Sequence, residues 1–158
     1  MKLAEAIMER STLLGIVNNL HDRIERNLQI QEGEVPQEDP QILIKVKHQK
    51  SEELLRLITN IQRINASTYV LDEKDRATTE TLQAALVRRD YLFRLSSAYS
   101  EYARYSVPNV RGRQSEIKVL PVLDASSLQK EADKYAKEAR ELDRLIQKTN
   151  WYVEYSEI

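Results

Sequence analysis

Two histidines and one basic run are the places where this 158-residue chain could do chemistry. His21 precedes Glu25 by one helical turn, so the pair could hold a metal or act as a general base. His21 also falls on an apolar stripe, and a hydrogen-bonded histidine at a helix interface is the preferred reading. His48 sits among lysines and should be solvated. A di-iron site in a helical bundle needs Glu-x-x-His on two helices. The residues three positions before His21 and His48 are Asn18 and Lys45, so that site is excluded. There is no cysteine, which removes disulfides, thiolate metal sites and cysteine nucleophiles. Gly15, Gly33 and Gly112 are the only glycines, too few for a phosphate-binding loop, a dinucleotide turn or a nucleophile elbow. The expectation is a non-catalytic chain with no cofactor and no metal, His21 and Glu25 being the weak exception.

The basic run is Arg88-Arg89-Asp90, and Arg111, Arg113, Glu116 and Lys118 follow within one further segment. Arg89 lies seven residues after Leu82, on the stripe of its own helix, where an unpaired charge would be costly. Arg88, Arg89, Arg111, Arg113 and Lys118 could line an anion or phosphate pocket. The structural alternative, a network with Asp90, Glu116 or a partner chain, is preferred. Four carboxylates, Glu32, Glu34, Glu38 and Asp39, share a loop but lack the calcium-loop pattern, so a solvated acidic loop is expected. Eight tyrosines are many for this length, and Tyr91, Tyr102 and Tyr105 lie near arginines. Such tyrosines stack on nucleic-acid bases or pack at protein interfaces. With 24 basic against 25 acidic residues the chain has no field to attract nucleic acid or anionic lipid, so the interface reading is chosen.

These side chains must be carried by helices. Three glycines, four prolines and a charged fraction of 31% rich in good helix formers exclude a sheet-rich fold. A first helix is predicted over about Lys2–Gln29, with Leu3, Ile7, Arg10, Leu14, Val17, His21, Ile24 and Leu28 stepping in fours and threes and Leu13, Ile16 and Leu20 widening the stripe on one side. The Gly33–Pro40 stretch breaks it, and a second helix follows over about Gln41–Ala66. Thr68–Leu71 reads as a short strand, Asp72–Arg76 as a turn, and a third helix should start near Thr78 or Thr79 and reach Tyr105. Residues 116–120 read as extended before Pro121. A fourth helix, capped at Asp124 or by a Ser126–Gln129 box, carries Leu128, Ala132, Tyr135, Ala139, Leu142, Ile146 and Thr149 at heptad spacing. The fold class is mainly α: four long antiparallel helices with a small β element where residues 68–71 and 116–120 meet, in one helical-bundle domain over residues 1–158. No stretch approaches the roughly 18–20 apolar residues of a membrane span, and Glu5, Glu9 and Arg10 interrupt any leader. A cytoplasmic protein with no membrane partner is expected.

Four segments, in order, carry a resemblance along the whole chain. They are Met1–Ala6; Gln31–Glu34 with Glu38-Asp39-Pro40; Ala85–Asp90; and Ser115–Lys118 followed by Leu128-Gln129-Lys130 and Asn150-Trp151. On these the chain resembles a small bacterial family labelled septicolysin. The label implies a cytolysin, whereas a pore-former needs an inserting hairpin or apolar span that these residues do not supply. The reading taken from the residues is a non-catalytic scaffold or interaction protein whose partner is itself. A homo-oligomer is expected because Tyr91, Leu95, Tyr102 and Tyr105, and Leu145, Trp151, Tyr152, Val153 and Tyr155 at the end, exceed the inward positions a bundle offers. The rival is an anion-binding protein or enzyme built on Arg89, Arg113 and Lys118.

Overall fold

The computed structural model describes residues 1–108 and 118–157. Among them the elements run α1 (Leu3–Asn27), α2 (Pro40–Ser67), β1 (Tyr69–Leu71), β2 (Ala77–Thr81), α3 (Leu82–Ser106) and α4 (Ala125–Tyr152). The fold is mainly α with one small antiparallel sheet. The chain groups into two compact units, Met1–Thr68 with Lys148–Ile158, and Tyr69–Gln147.

In the first unit α1 and α2 form an antiparallel hairpin. Leu20 and Ile24 pack against Leu43 and Val46 near the connecting loop. α1 starts where the Lys2 N–H donates to Glu5 Oε2 at 2.6 Å, the reach-back half of a capping box. α2 starts at Pro40, which suits a first turn, with Asp39 accepting from the Gln41 N–H at 2.8 Å. The loop between them turns at Gly33, whose φ of 90° is a left-handed conformation that a side chain disfavours. The buried face of α1 is Leu3, Ala6, Leu13, Leu20, Ile24 and Asn27, while Leu14, Ile16, His21 and Leu28 are exposed. That face is rotated from the expected stripe by about half of one residue's 100° step. The cause is physical: Leu20 and Ile24 pack against Leu43 of α2, and Asn27 is held inward by the Glu38 N–H beyond the loop. Residues beyond α4 return to the chain start, where the Leu3 N–H donates to Val153 O at 2.9 Å and the Tyr155 N–H to Met1 O at 2.8 Å.

In the second unit β1 and β2 form a hairpin, with Tyr69 opposite Thr81 and Leu71 opposite Ala77 around an irregular register. Asp72 holds the turn by accepting from the N–H groups of Lys74 and Arg76 at 2.8 and 3.0 Å, and Asp75 takes a φ of 61°. This corrects the expected pairing. The strand 69–71 pairs with 77–81; of the expected partner, Lys118–Leu120 form no strand, and residues 116 and 117 lie outside the described residues. The third helix accordingly starts at Leu82 and not at Thr78 or Thr79. Three β-branched threonines in Ala77–Thr81 favour extended backbone, and a hairpin partner is only a turn away. Thr81 caps α3, its Oγ1 accepting from the Ala84 N–H at 3.2 Å. Asp124 caps α4 by accepting from the Ser127 N–H and hydroxyl, both at 2.8 Å, so Ser126 lies inside the helix and makes no capping box. α3 and α4 run antiparallel: Arg89 meets Asp143 at one end and Tyr99 meets Tyr135 further along.

The cap on α3 gives a direct expectation. Thr81→Ala should lower stability by about 1 kcal/mol in chemical denaturation, and Thr81→Ser should lose little of it. Equal losses in both variants would mean that the threonine acts through its methyl group and not its oxygen.

Candidate functional site

The two described arginines of the basic run are each matched by carboxylates. Arg88 on α3 reaches back to Glu80 on β2 with two parallel bonds, Nε at 2.9 Å and Nη2 at 2.6 Å. Arg89, half-buried, donates Nη1 to Asp143 on α4 at 2.7 Å, and Nε and Nη2 to Asp90 at 3.0 and 2.9 Å. Burial pushes the Arg89 guanidinium down, but the bonds to Asp143 and Asp90 outweigh it and hold the group above its ordinary value. Arg144 on α4 pairs with Glu73 in the hairpin turn. These pairs tie strand, turn and both helices of this unit together. Lys118 is exposed. Arg111, Arg113 and Glu116 lie outside the described residues, so the five-residue anion cluster is represented only by Arg88, Arg89 and Lys118.

In the first unit His21 is exposed, at the edge of the α1–α2 seam. Lys47 Nζ lies 3.1 Å from Nδ1 and Glu25 Oε1 lies 3.3 Å from Nε2. Both ring nitrogens are engaged, Nδ1 toward the lysine and Nε2 toward the glutamate. His48 makes a similar one-turn contact with Glu52. Among the described residues no group of three or more histidine, aspartate or glutamate side chains is arranged to hold a metal ion.

The acidic loop encloses an open cleft of about 850 Å³ with the end of α1, lined by Arg23, Arg26, Asn27, Ile30, Gln31 and neighbours. Two of its carboxylates have structural work. Glu38 accepts from Arg23 Nε at 2.9 Å and also pairs with its Nη2, and Asp39 caps α2. Asn27, buried, donates to Arg23 O at 2.9 Å and accepts from the Glu38 N–H at 3.0 Å, so the loop is bound to the helix before it. Sequence reasoning missed Asn27, because a lone asparagine near a helix end carries no signal of a bond made to a residue beyond the loop.

The unmatched feature is an outer face of α3. The buried side of this helix is Leu82, Ala85, Leu92 and Ala103. Turned well away from it, Val87, Tyr91, Leu95, Ala98, Tyr102 and Tyr105 follow in steps of four, four, three, four and three. Val87 is 62% exposed, Tyr91 58%, Tyr102 54% and Tyr105 74%, so these large apolar groups face solvent. Leu95 and Ala98 between them are half-buried. Tyr102 packs edge-on against Tyr99, with centroids 5.8 Å apart, and Tyr99 in turn touches Tyr135, so the stripe rests on a packed aromatic base. Of the aromatic residues expected at the chain end, Trp151 and Tyr152 are 49% and 66% exposed. Tyr155 is engaged instead, its hydroxyl accepting from Asn60 Nδ2 at 3.2 Å.

The carboxylates that hold these elements share one electrostatic sign. Arg88 lowers Glu80, Arg23 lowers Glu38, Arg76 lowers Asp72, Ser127 lowers Asp124 and Lys2 lowers Glu154, each through a hydrogen bond to the charged form. A group whose folded value lies below its unfolded value contributes stability above the unfolded value and loses it as pH falls through the folded one. Thermal unfolding should therefore be nearly flat from about pH 7 to 5 and fall progressively below about pH 4. A melting temperature that rises on acidification would contradict these assignments.

A family described as being of unknown function, DUF6847, matches residues 3–155. Among solved structures, a functionally unknown conserved protein from Corynebacterium diphtheriae is 31% identical, with a TM-score of 0.89 over 99% of each chain. No curated protein matches. Among the described residues no helix is long and apolar enough to cross a membrane.

Proposed function

The chain belongs to the DUF6847 family, whose function is unknown, and we propose that this protein is a non-catalytic helical interaction protein that assembles with itself. The observation that carries the reading is the outer stripe of α3. A helix that is apolar on two faces has a second surface to cover, and a cluster of large aromatics at a surface marks a contact. A tyrosine offers about 150–250 Å² when fully covered. Three tyrosines more than half exposed therefore present about 300–400 Å² between them, approaching half of the roughly 800 Å² per partner of a standard interface. The ion pairs favour the same reading over an anion-binding one, because Arg88 and Arg89 already have carboxylates.

Chemical reactivity of the tyrosines tests this. Nitration of Tyr91, Tyr102 and Tyr105, mapped by mass spectrometry, should fall as protein concentration rises from low to high micromolar. Tyr69, 50% exposed on β1, serves as the internal reference. Reactivity of all four that is independent of concentration would remove the proposal.

A further inference from the structure

We propose that the α3 stripe pairs antiparallel with α3 of a second copy, about a two-fold axis at the level of residues 96 and 97. This rests on the self-assembly proposed above and specifies its geometry. A two-fold interface brings residue i of one copy against residue j of the other, and j against i. The stripe is self-complementary under that operation in one register. Tyr91 falls opposite Tyr102 of the second copy and Leu95 opposite Ala98, while Val87 and Tyr105 meet offset by one residue, about 1.5 Å along the axis, so each stripe position lies at or beside another. The central layer sets a large side chain against a small one, which lets two helices approach closely. A strictly parallel pairing would instead stack Tyr91 on Tyr91 and Leu95 on Leu95.

Charge selects the same register. Arg94 and Glu101 flank the stripe on one side, both exposed, and Arg94 has no ion-pair partner among the described residues. A two-fold axis perpendicular to the helices keeps that flank facing itself across the interface. Arg94 of each copy then lies within about 3 Å along the axis of Glu101 of the other, at 1.5 Å per residue, and the contact occurs twice. Glu101 is 3.5 Å from Arg104 within its own chain, an exposed pair one turn away that leaves its carboxylate able to accept a second guanidinium.

Two measurements on the full chain decide the matter, both read by sedimentation velocity and mass spectrometry. Arg94→Glu and Glu101→Arg should each weaken association about tenfold, because each turns two attractive contacts into repulsive ones, and the double reversal should restore most of it. Because the chain has no cysteine, single cysteines report the register without background. A mixture of the Val87→Cys and Tyr105→Cys proteins should form the mixed disulfide, and neither alone should form much. Efficient Val87→Cys homodisulfides, or a dimer indifferent to charge reversal, would overturn the antiparallel pairing while leaving self-assembly standing. A wild-type chain that sediments as a monomer would overturn both.

Discussion

Replacing Tyr91 and Tyr102 together by serine should leave a folded monomer, with self-association weakened at least about a hundredfold. Buried tyrosines at the centre of an interface commonly contribute about 2 kcal/mol or more each, and the pair meets across the proposed axis in two places. The fold should survive, because both rings are more than half exposed and the core of the unit lies on the other side of α3. Helix content measured by circular dichroism should therefore change little while sedimentation changes greatly. The Tyr91→Phe and Tyr102→Phe pair keeps the ring and should keep most of the association. A double serine variant that associates like wild type would show that the stripe is an ordinary solvated surface.

Ending the chain at Tyr152 should lower stability by about 3 kcal/mol, a melting shift of about 6–12 °C. The last residues carry two backbone bonds to the start of the chain, Leu3 to Val153 and Tyr155 to Met1. They also supply the Tyr155 hydroxyl that satisfies Asn60, a side chain only 8% exposed. Cutting there leaves a buried amide without its partner and uncovers Leu3, which is wholly buried. Buried groups left unmatched cost about 1–3 kcal/mol each. The exposed Lys2–Glu154 pair should add little to this. Tyr155→Phe separates the terms, since it keeps the backbone bonds and removes only the hydroxyl. A truncated chain with unchanged melting would show that the paired ends are decoration.

How much of this was legible in the sequence depended on the range of the interaction. α4 was read nearly whole, because Ala132, Ala139, Leu142, Ile146 and Thr149 are buried as the heptad requires. α2 followed the same logic, with Pro40 suited to its first turn, but its cap Asp39 was counted only among the carboxylates of the loop. α1 was read as a helix but with its face turned, because its apolar residues cover too wide an arc for periodicity to choose. Packing of Leu20 and Ile24 on Leu43, and the bond between Asn27 and Glu38, made the choice. The strand at Ala77–Thr81 was hidden by the assumption that threonines near a helix act as caps, although only Thr81 does. Arg89 was legible as a buried-side arginine in need of a carboxylate. Its partner Asp143 was not, since 54 residues separate them and only the antiparallel run of α3 and α4 brings them together. The α3 stripe was partly visible as surplus tyrosine. Val87 and Ala98 joined it only when the buried face was known.

The mass of the unmodified chain in solution, by light scattering across a concentration series, bears most directly on the central claim. Self-assembly through a two-fold pairing of α3 predicts a mass approaching twice 18.4 kDa by high micromolar concentration. A mass that stays at 18.4 kDa throughout would contradict it.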